Sequence, residues 1–348
     1  MTESDALGGL INMGQTCYAN SVIQCFRNCK KVSWIFNEKK FTKFFQQDPA
    51  EPRGTQQVLC LSFADIIQLL NKCRRGQSVR PADFWMKFRG AVTNTGFEHL
   101  GARIQHDSHE FYLCLLDLLH EATSQQVEMK ILRPDPKTED ESHCIQALET
   151  WKREFEKKYS PFVDLFYGLV HVVIQCNGCK NKSHRWESFT TLKAAVPEEQ
   201  NVPTLEEMLH EELKPEIIPG YDCEKCRPNK QDATRFVRIW RLPLYLTVVI
   251  KRFTPDGRKI HKPMKPLENT TVSFETFFSE DSPEYDGKLK YDLVSIVDHH
   301  GSAGGGHYTA QCKAADGKWH LYDDETVNDL PNAMFGGSTY MLWFERKG

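Results

Sequence analysis

The chain has 348 residues, enough for one large domain or two ordinary ones, of which 40% are hydrophobic and 26% charged. A formal net charge of -3 gives no electrostatic footprint for a nucleic-acid polyanion, and no apolar run approaches the ~20 residues of a membrane helix. The N-terminus, Met-Thr-Glu-Ser-Asp, lacks the basic and apolar segments of a secretory signal, so the expected setting is intracellular, cytoplasm or nucleus, where the 12 cysteines should be reduced and closely spaced ones are candidates for metal binding or catalysis.

The first organised stretch runs from Gly9 to Gln24. Gly9 and Gly14 punctuate a loop that turns into a helix at Cys17, with Ala19, Val22, Ile23 and Phe26 recurring at helical spacing. Thr16 stands at the N-cap position. A cysteine in the first turn of a helix meets unpaired N–H groups and the positive end of the dipole. The Cys17 thiol is therefore expected to have a lowered pKa and to act as a nucleophile; a buried cysteine serving as a small hydrophobe has the same local pattern.

Residues 17 to about 130 read mainly as helix. Ser62 to Leu70 is apolar at helical spacing, and Arg80-Pro81-Ala82-Asp83-Phe84 opens a helix toward Phe88. Gln105 to Phe111 leads into a helix carrying Leu113, Leu115, Leu116, Leu118 and Leu119. Asp107, with Glu110 three residues on, has the pattern of a capping box; a substrate-facing acidic edge is the alternative. Arg133 to Ser142 is Pro- and acid-rich and reads as a surface loop. Trp151 to Tyr159, with alternating charges, reads as an exposed helix.

At Phe166 the period changes. Phe166 to Gln175 is strand-like and runs into Cys176-Asn177-Gly178-Cys179. Ser188 to Val196 is a second strand, Thr204 to Leu209 a short capped helix, and Cys223-Glu224-Lys225-Cys226 follows. Arg235 to Trp240, Leu244 to Phe253, Tyr291 to His299, His307 to Lys313, Trp319 to Tyr322 and Tyr340 to Phe344 read as strands. Helices first and strands after argue an α+β fold.

Each Cys-x-x-Cys pair is a knuckle that turns two sulfurs toward one ion, and Gly178 eases the first turn. Cys176, Cys179, Cys223 and Cys226 together make a tetrahedral four-sulfur site that suits one structural Zn²⁺. Iron also fits such a set, and a redox dithiol would leave the second pair unexplained. His171 and His184 are spare candidates.

Near the C-terminus, Asp298 to Thr309 is a glycine-rich loop entering a strand at His307. Trp319 to Val327 is the next strand and its exit, with Asp316-Gly317 as the turn between them. A histidine strand thus lies beside an Asp-Asp strand, the pattern of a nucleophile, base and orienter. A two-residue turn would put Asp324 on the face of His307, and a three-residue loop would put Asp323 there. A plain hairpin with a solvated acidic end is the alternative, but the three glycines beside the histidine leave room for another chain's backbone. Oxyanion donors would come from the backbone around Cys17 and from the amide of Asn12, which could instead cap a turn.

These motifs resemble the ubiquitin-specific proteases. Gly9 to Gln24 resembles their cysteine box. Gly305-Gly306-His307-Tyr308-Thr309-Ala310 with Trp319 and Tyr322-Asp323-Asp324 resembles their histidine box. Gln105 to Phe111, the two knuckles, and Leu246 to Phe253 with Ile-Lys-Arg-Phe fall in the family's order, from Gly9 to Phe344. The resemblance implies a single catalytic domain over 1–348 with a papain-like cysteine protease fold. A helical thumb would span 1–165, zinc-ribbon fingers 166–235, and a β palm 236–348, with 186–200 contributing to it. It implies a deubiquitinase that cleaves after the C-terminal Gly-Gly of ubiquitin, with Cys17 as nucleophile, His307 as base, Asp323 as orienter and Asn12 in the oxyanion hole. Gln105, Asp107 and Tyr308 would bind the ubiquitin tail, and structural zinc would sit on the four cysteines. Expected partners are ubiquitin, ubiquitinated proteins and regulatory proteins, with no nucleic acid or membrane. A protease for another Gly-Gly modifier, or a non-catalytic ubiquitin-binding adaptor, is the alternative. Two positions depart from the family pattern. Gln15 stands where Asn is usual, which would alter loop packing, and His106 replaces a Gln, which would alter the tail channel or make binding pH-sensitive.

Overall fold

The structure is a computed structural model that describes residues 7–37, 40–45, 53–132, 135–285 and 289–347. The segment read for a secretory signal, and Arg133 with Pro134 of the expected 133–142 loop, lie outside the described residues.

The N-terminal half is helical. A two-residue strand β1 (Gly9–Leu10) leads to α1 (Cys17–Asn28), α2 (Lys30–Asn37) and α3 (Thr55–Leu70), and then to strand β2 (Ser78–Val79), α4 (Ala82–Ala91) and α5 (Ser108–Thr123). β1 and β2 pair in parallel and tie the loop before Cys17 to the helices. Phe26 of α1 joins these elements: its ring meets those of Phe63, Tyr112, Phe166 and Trp343 at centroid distances of 5.1–6.0 Å.

Two more helices follow, α6 (Glu139–Phe155) and α7 (Pro161–Phe166). Both correct the sequence reading. The expected loop up to Ser142 becomes the first turn of α6, where the Thr138 side chain accepts the Glu141 N–H. The helix expected over Trp151 to Tyr159 is therefore only the end of α6. It is not exposed there, because Trp151 and Phe155 pack with Trp186 and Trp240. Phe166, expected in a strand, closes α7, whose signal is Ser160 capping ahead of Pro161.

The strands are β3 (Gly168–Cys176), β4 (Lys182–Phe189) and β5 (Thr191–Ala195), then after α8 (Leu205–Glu212) come β6 (Glu216–Tyr221), β7 (Gln231–Arg241), β8 (Tyr245–Lys251) and β9 (Thr271–Ser273). They end with β10 (Lys290–Ser302), β11 (Gly305–Lys313), β12 (Trp319–Asp323), β13 (Thr326–Leu330) and β14 (Thr339–Arg346). One sheet has the order β4-β3-β7-β6. The larger has the order β13-β12-β11-β10-β14-β8-β5, with β9 beside β10. The single strand read over Ser188 to Val196 is thus two: β4 ends in the small sheet, and β5 continues as the parallel neighbour of β8 in the large one. The expected glycine-rich loop is a hairpin, since β10 and β11 stay paired out to Ser302 and Gly305.

α1 and α5 pack on one face of the large sheet, α8 on the other. Arg252, at the end of β8, is fully buried and donates to the carbonyls of Thr339, Ile260, Lys262 and Gly336. The mixed helical and sheet architecture is the α+β class.

Candidate active site

Cys17 opens α1 and is 2% exposed. Burial pushes its thiol above the ordinary range; the backbone N–H groups of Tyr308, Tyr18 and Cys17 oppose that, and the Asp324 carboxylate reinforces it. The lowered pKa expected from the helix N-terminus is therefore not found, because loss of water outweighs the local N–H donors. Thr16 holds the N-cap position without capping: its hydroxyl turns back to accept the Met13 N–H at 2.9 Å.

β11 lies against α1 and carries His307, whose Nε2 is 2.6 Å from Asp323 Oδ1. The turn decides which aspartate reaches it. The Ala314 N–H donates to Lys318 O, and Lys313 pairs with Trp319, so three residues form the loop, ending at Gly317 with φ +84. That register puts Asp323 on the face of His307. With Nε2 held by Asp323, Nδ1 is the ring nitrogen left for proton transfer. Among the described residues, no hydrogen bond joins His307 to the Cys17 sulfur.

Asp324 has a different place. Its φ of +48 turns the chain out of β12. Its carboxylate accepts from Asn12 Nδ2 at 2.8 Å and Asn20 Nδ2 at 2.7 Å, and its carbonyl accepts the Leu10 N–H at 2.8 Å. The loop before Cys17 is thus braced by the turn after β12. A Cβ on Gly9 would stand 2.3 Å from Glu325 O, so only glycine allows this approach. Asn12 Oδ1 accepts from the Gly14 and Thr16 N–H groups at 3.0 and 3.1 Å, which shapes the turn. Its amide gives one hydrogen to Asp324 and keeps the second. Gln15 adopts φ +61 with its side chain in solvent, so its extra methylene does not change loop packing.

Gln105 clasps the hairpin tip. Its Oε1 accepts the Gly306 N–H at 2.9 Å, and its Nε2 donates to Gly306 O. Asp107 caps α5 by accepting the Glu110 N–H at 3.0 Å. Glu110 does not complete the box; it pairs with His99 Nε2 at 2.9 Å. The second Asp107 oxygen accepts from Tyr340 at 2.7 Å and Tyr308 at 3.4 Å. Gln105, Asp107, Tyr308 and Tyr340 line a cavity of about 460 Å³ that also borders Gly304 to Gly306. His106 packs edge-on to Tyr18, and burial lowers its pKa, which favours the neutral ring.

The sequence reading missed Tyr340, Asn20 and the bracing role of Asp324. Asn20 had a signal, a polar residue three positions after Cys17 on a buried helix face. Tyr340 had none, since its partner lies on a distant helix cap.

At the far end of the small sheet, the ligand atoms of Cys176, Cys179, Cys223 and Cys226 lie within 4.8 Å of one another. Two of the sulfur pairs are 3.5 and 3.8 Å apart. A tetrahedral site with Zn–S bonds of ~2.3 Å requires about 3.8 Å between sulfurs, so the donor set fits a metal of that size. The left-handed residue in the first knuckle is Lys180, with φ +62, and not Gly178, whose missing Cβ instead leaves room for Gln231. His171 and His184 lie up the hairpin from this cluster, where His171 pairs with Trp186 and His184 with Val173.

A thiol beside the backbone of Tyr308, and an imidazole–carboxylate pair at the neighbouring His307, are the parts of thiol nucleophilic catalysis. The family model for ubiquitin carboxyl-terminal hydrolase matches residues 8–344. The ubiquitin carboxyl-terminal hydrolase Usp2 of Drosophila melanogaster is 29% identical over 99% of this chain, which spans 35% of that protein. Human ubiquitin carboxyl-terminal hydrolase 21 is 27% identical over 97% of this chain, which spans 61% of it. A chain in the structure of the SAGA DUB module Ubp8/Sgf11/Sus1/Sgf73 bound to monoubiquitin superposes with a TM-score of 0.73 at 22% identity, covering 100% of this chain and 71% of that one. That likeness shows the shared fold.

Proposed function

This chain belongs to the ubiquitin carboxyl-terminal hydrolase family, and from that membership we propose that it is a cysteine-type deubiquitinase, releasing ubiquitin from protein conjugates or polyubiquitin. The observation that carries the reading is the His307–Asp323 contact of 2.6 Å on the strand that covers Cys17.

In this reading Cys17 attacks the carbonyl of the last ubiquitin glycine after passing its proton to His307 Nδ1. Asp323 holds the imidazole tautomer and supports the charge. The free amide hydrogen of Asn12 and the backbone around Cys17 receive the oxyanion. His307 then protonates the departing lysine amine, and an acyl-enzyme remains. Water, deprotonated by His307, attacks it and regenerates the thiol. The buried, protonated thiol of the free protein is not bonded to His307, so the bound tail has to bring the two into line. Gln105, Asp107 and Tyr308 would contact that tail, with the cavity beneath the hairpin as its channel.

The helical 1–165 would serve as thumb, 166–235 as fingers, and 236–348 as palm with 186–200 contributing. One structural Zn²⁺ on the four cysteines would fix the fingertip; the sulfur separations support it. Ubiquitin is the proposed ligand, with regulatory subunits as further partners; the similar module was solved with both. No described helix is long and apolar enough to cross a membrane. An intracellular setting remains part of the reading.

The test is hydrolysis of ubiquitin carrying a fluorogenic group at its C-terminus, for the wild type and for Cys17→Ala. Turnover by the wild type, lost in Cys17→Ala while ubiquitin still binds, is the expected result. No turnover by well-folded wild type overturns the reading.

A further inference from the structure

Three histidines that play no part in the cleft meet where α6 crosses the β3–β4 hairpin. His143 comes from α6, His171 from β3 and His184 from β4. His143 and His171 are buried and His184 is half-buried. The ring of His184 lies 4.3 Å from that of His143 and 5.1 Å from that of His171, centroid to centroid. Glu139 stands one helical turn before His143 on the same face of α6. The ligand atoms of Glu139, His143 and His184 lie within 4.8 Å of one another.

The hydrogen bonds orient these rings. His143 Nδ1 is 2.9 Å from the Asp281 carboxylate. His184 Nδ1 is 3.0 Å from His171 Nε2, and His171 Nδ1 is 3.0 Å from the Ser279 hydroxyl. A ring-to-ring contact of this kind needs one donor and one unprotonated acceptor, so His171 and His184 are not both charged. With Nδ1 engaged in both, His143 and His184 each have Nε2 left to offer. A carboxylate behind one imidazole, and a histidine–serine pair behind the other, are the outer contacts that fix the tautomer of a metal-bound histidine. Trp186 stacks on His171 at 4.7 Å and 2°, which holds this outer arm in place.

We propose that Glu139, His143 and His184 form a second metal site, separate from the four-cysteine cluster, that takes a divalent transition ion of the zinc, cobalt or nickel class. Two imidazole nitrogens and one carboxylate oxygen suit such borderline ions and do not suit the all-oxygen preference of calcium or magnesium. Solvent reaches His184 from a cavity of about 540 Å³ that His171, Ser279 and Asp281 also line, while Glu139 is exposed outside that lining. The ion cross-links the first turn of α6 to β4, and so fixes the base of the small sheet against the helical half.

Titration of the purified protein with Co²⁺ tests this, because the two sites have different spectra. The cysteine cluster gives an intense thiolate-to-cobalt charge-transfer band; the histidine site gives only weaker visible d–d bands. One equivalent of the second kind is expected, with slowed amide exchange at the start of α6. Glu139→Gln and His184→Gln should each weaken it at least about 10-fold, and Asp281→Asn about 10-fold. Glu139 is exposed, so Glu139→Gln leaves folding intact, which circular dichroism checks. Absence of the second signal, or its persistence unchanged in Glu139→Gln and His184→Gln, overturns the site. Failure of the cysteine reading removes only the charge-transfer band.

Discussion

Gln15 holds a left-handed φ of +61 in the loop before Cys17. Such a conformation costs a β-carbon residue ~1–2 kcal/mol, and asparagine tolerates it better than glutamine does. The Gln15 side chain is exposed, so shortening it sacrifices no packing. Gln15→Asn should therefore raise stability by about 0.5–1 kcal/mol in denaturant melts. An unchanged or lower midpoint would show that the loop does not feel the strain. The neighbouring brace has an electrostatic side. Burial and the Asp324 carboxylate both raise the Cys17 pKa, so the free protein carries mostly thiol at neutral pH. Mass-spectrometric readout of Cys17 alkylation should rise with pH to a midpoint above the ordinary thiol range of ~8.5. Asp324→Asn, which tolerates φ +48 and removes the charge, should move that midpoint down. A wild-type midpoint below the ordinary thiol range would return the balance to the helix N-terminus.

At the scale of elements, the sequence is legible where a segment carries its own signal. α1, α4, α5 and α8 have apolar periodicity or caps, and β8 has a continuous β-branched run. α6 escapes because most of its length, Glu139 to Thr150, is largely polar and buries His143 and Thr150 alongside Ala147. β4 reads Lys-Ser-His-Arg-Trp-Glu-Ser-Phe and buries only Trp186, so alternation is faint. β6 contains Pro219 and Gly220 and forms a sheet edge, where such residues are tolerated. The candidate site divides the same way. Cys17, His307, Asp323 and the four cysteines each sit in a local motif. The Asn20–Asp324 and Tyr340–Asp107 bonds join residues more than 230 positions apart, and no local pattern announces them. The knuckles give the element-scale prediction. Metal analysis should find about one Zn per chain held by the four cysteines, and Cys223→Ser should remove that share while speeding amide exchange at both knuckles and the strand ends beside them. Metal-free protein with equally protected knuckles would refute the ion's structural role.

Over the whole molecule, several buried histidines set the response to acid. Burial lowers His120 and His299 to about 4, against ~6.5 in an unfolded chain. The folded protein keeps these rings neutral, so the unfolded chain binds more protons as pH falls. Their contribution is complete above ~6.5 and is lost progressively toward about pH 4. Melting temperature should fall across that window. His120→Gln, which keeps a polar group beside the Ser160 hydroxyl at 2.7 Å, should flatten the slope even if it lowers the neutral-pH value. A variant with the wild-type slope would assign the acid sensitivity elsewhere.

The order of the large sheet also governs when the Cys17 and His307 elements come together. β14, later in the chain than every other strand described, lies between β10 and β8 at the middle of the sheet. β10 carries the hairpin that presents His307, and β14 itself supplies Tyr340 and packs Trp343 on Phe26 of α1. A ribosome-bound chain that has not yet released residues 339–346 has a gap between β10 and β8, where the sheet meets α1. Cys17 is made early and His307 late, and the two wait for that strand. Nascent chains therefore pass through synthesis with the Cys17 thiol and the His307 imidazole apart, and the two meet only when translation has delivered β14.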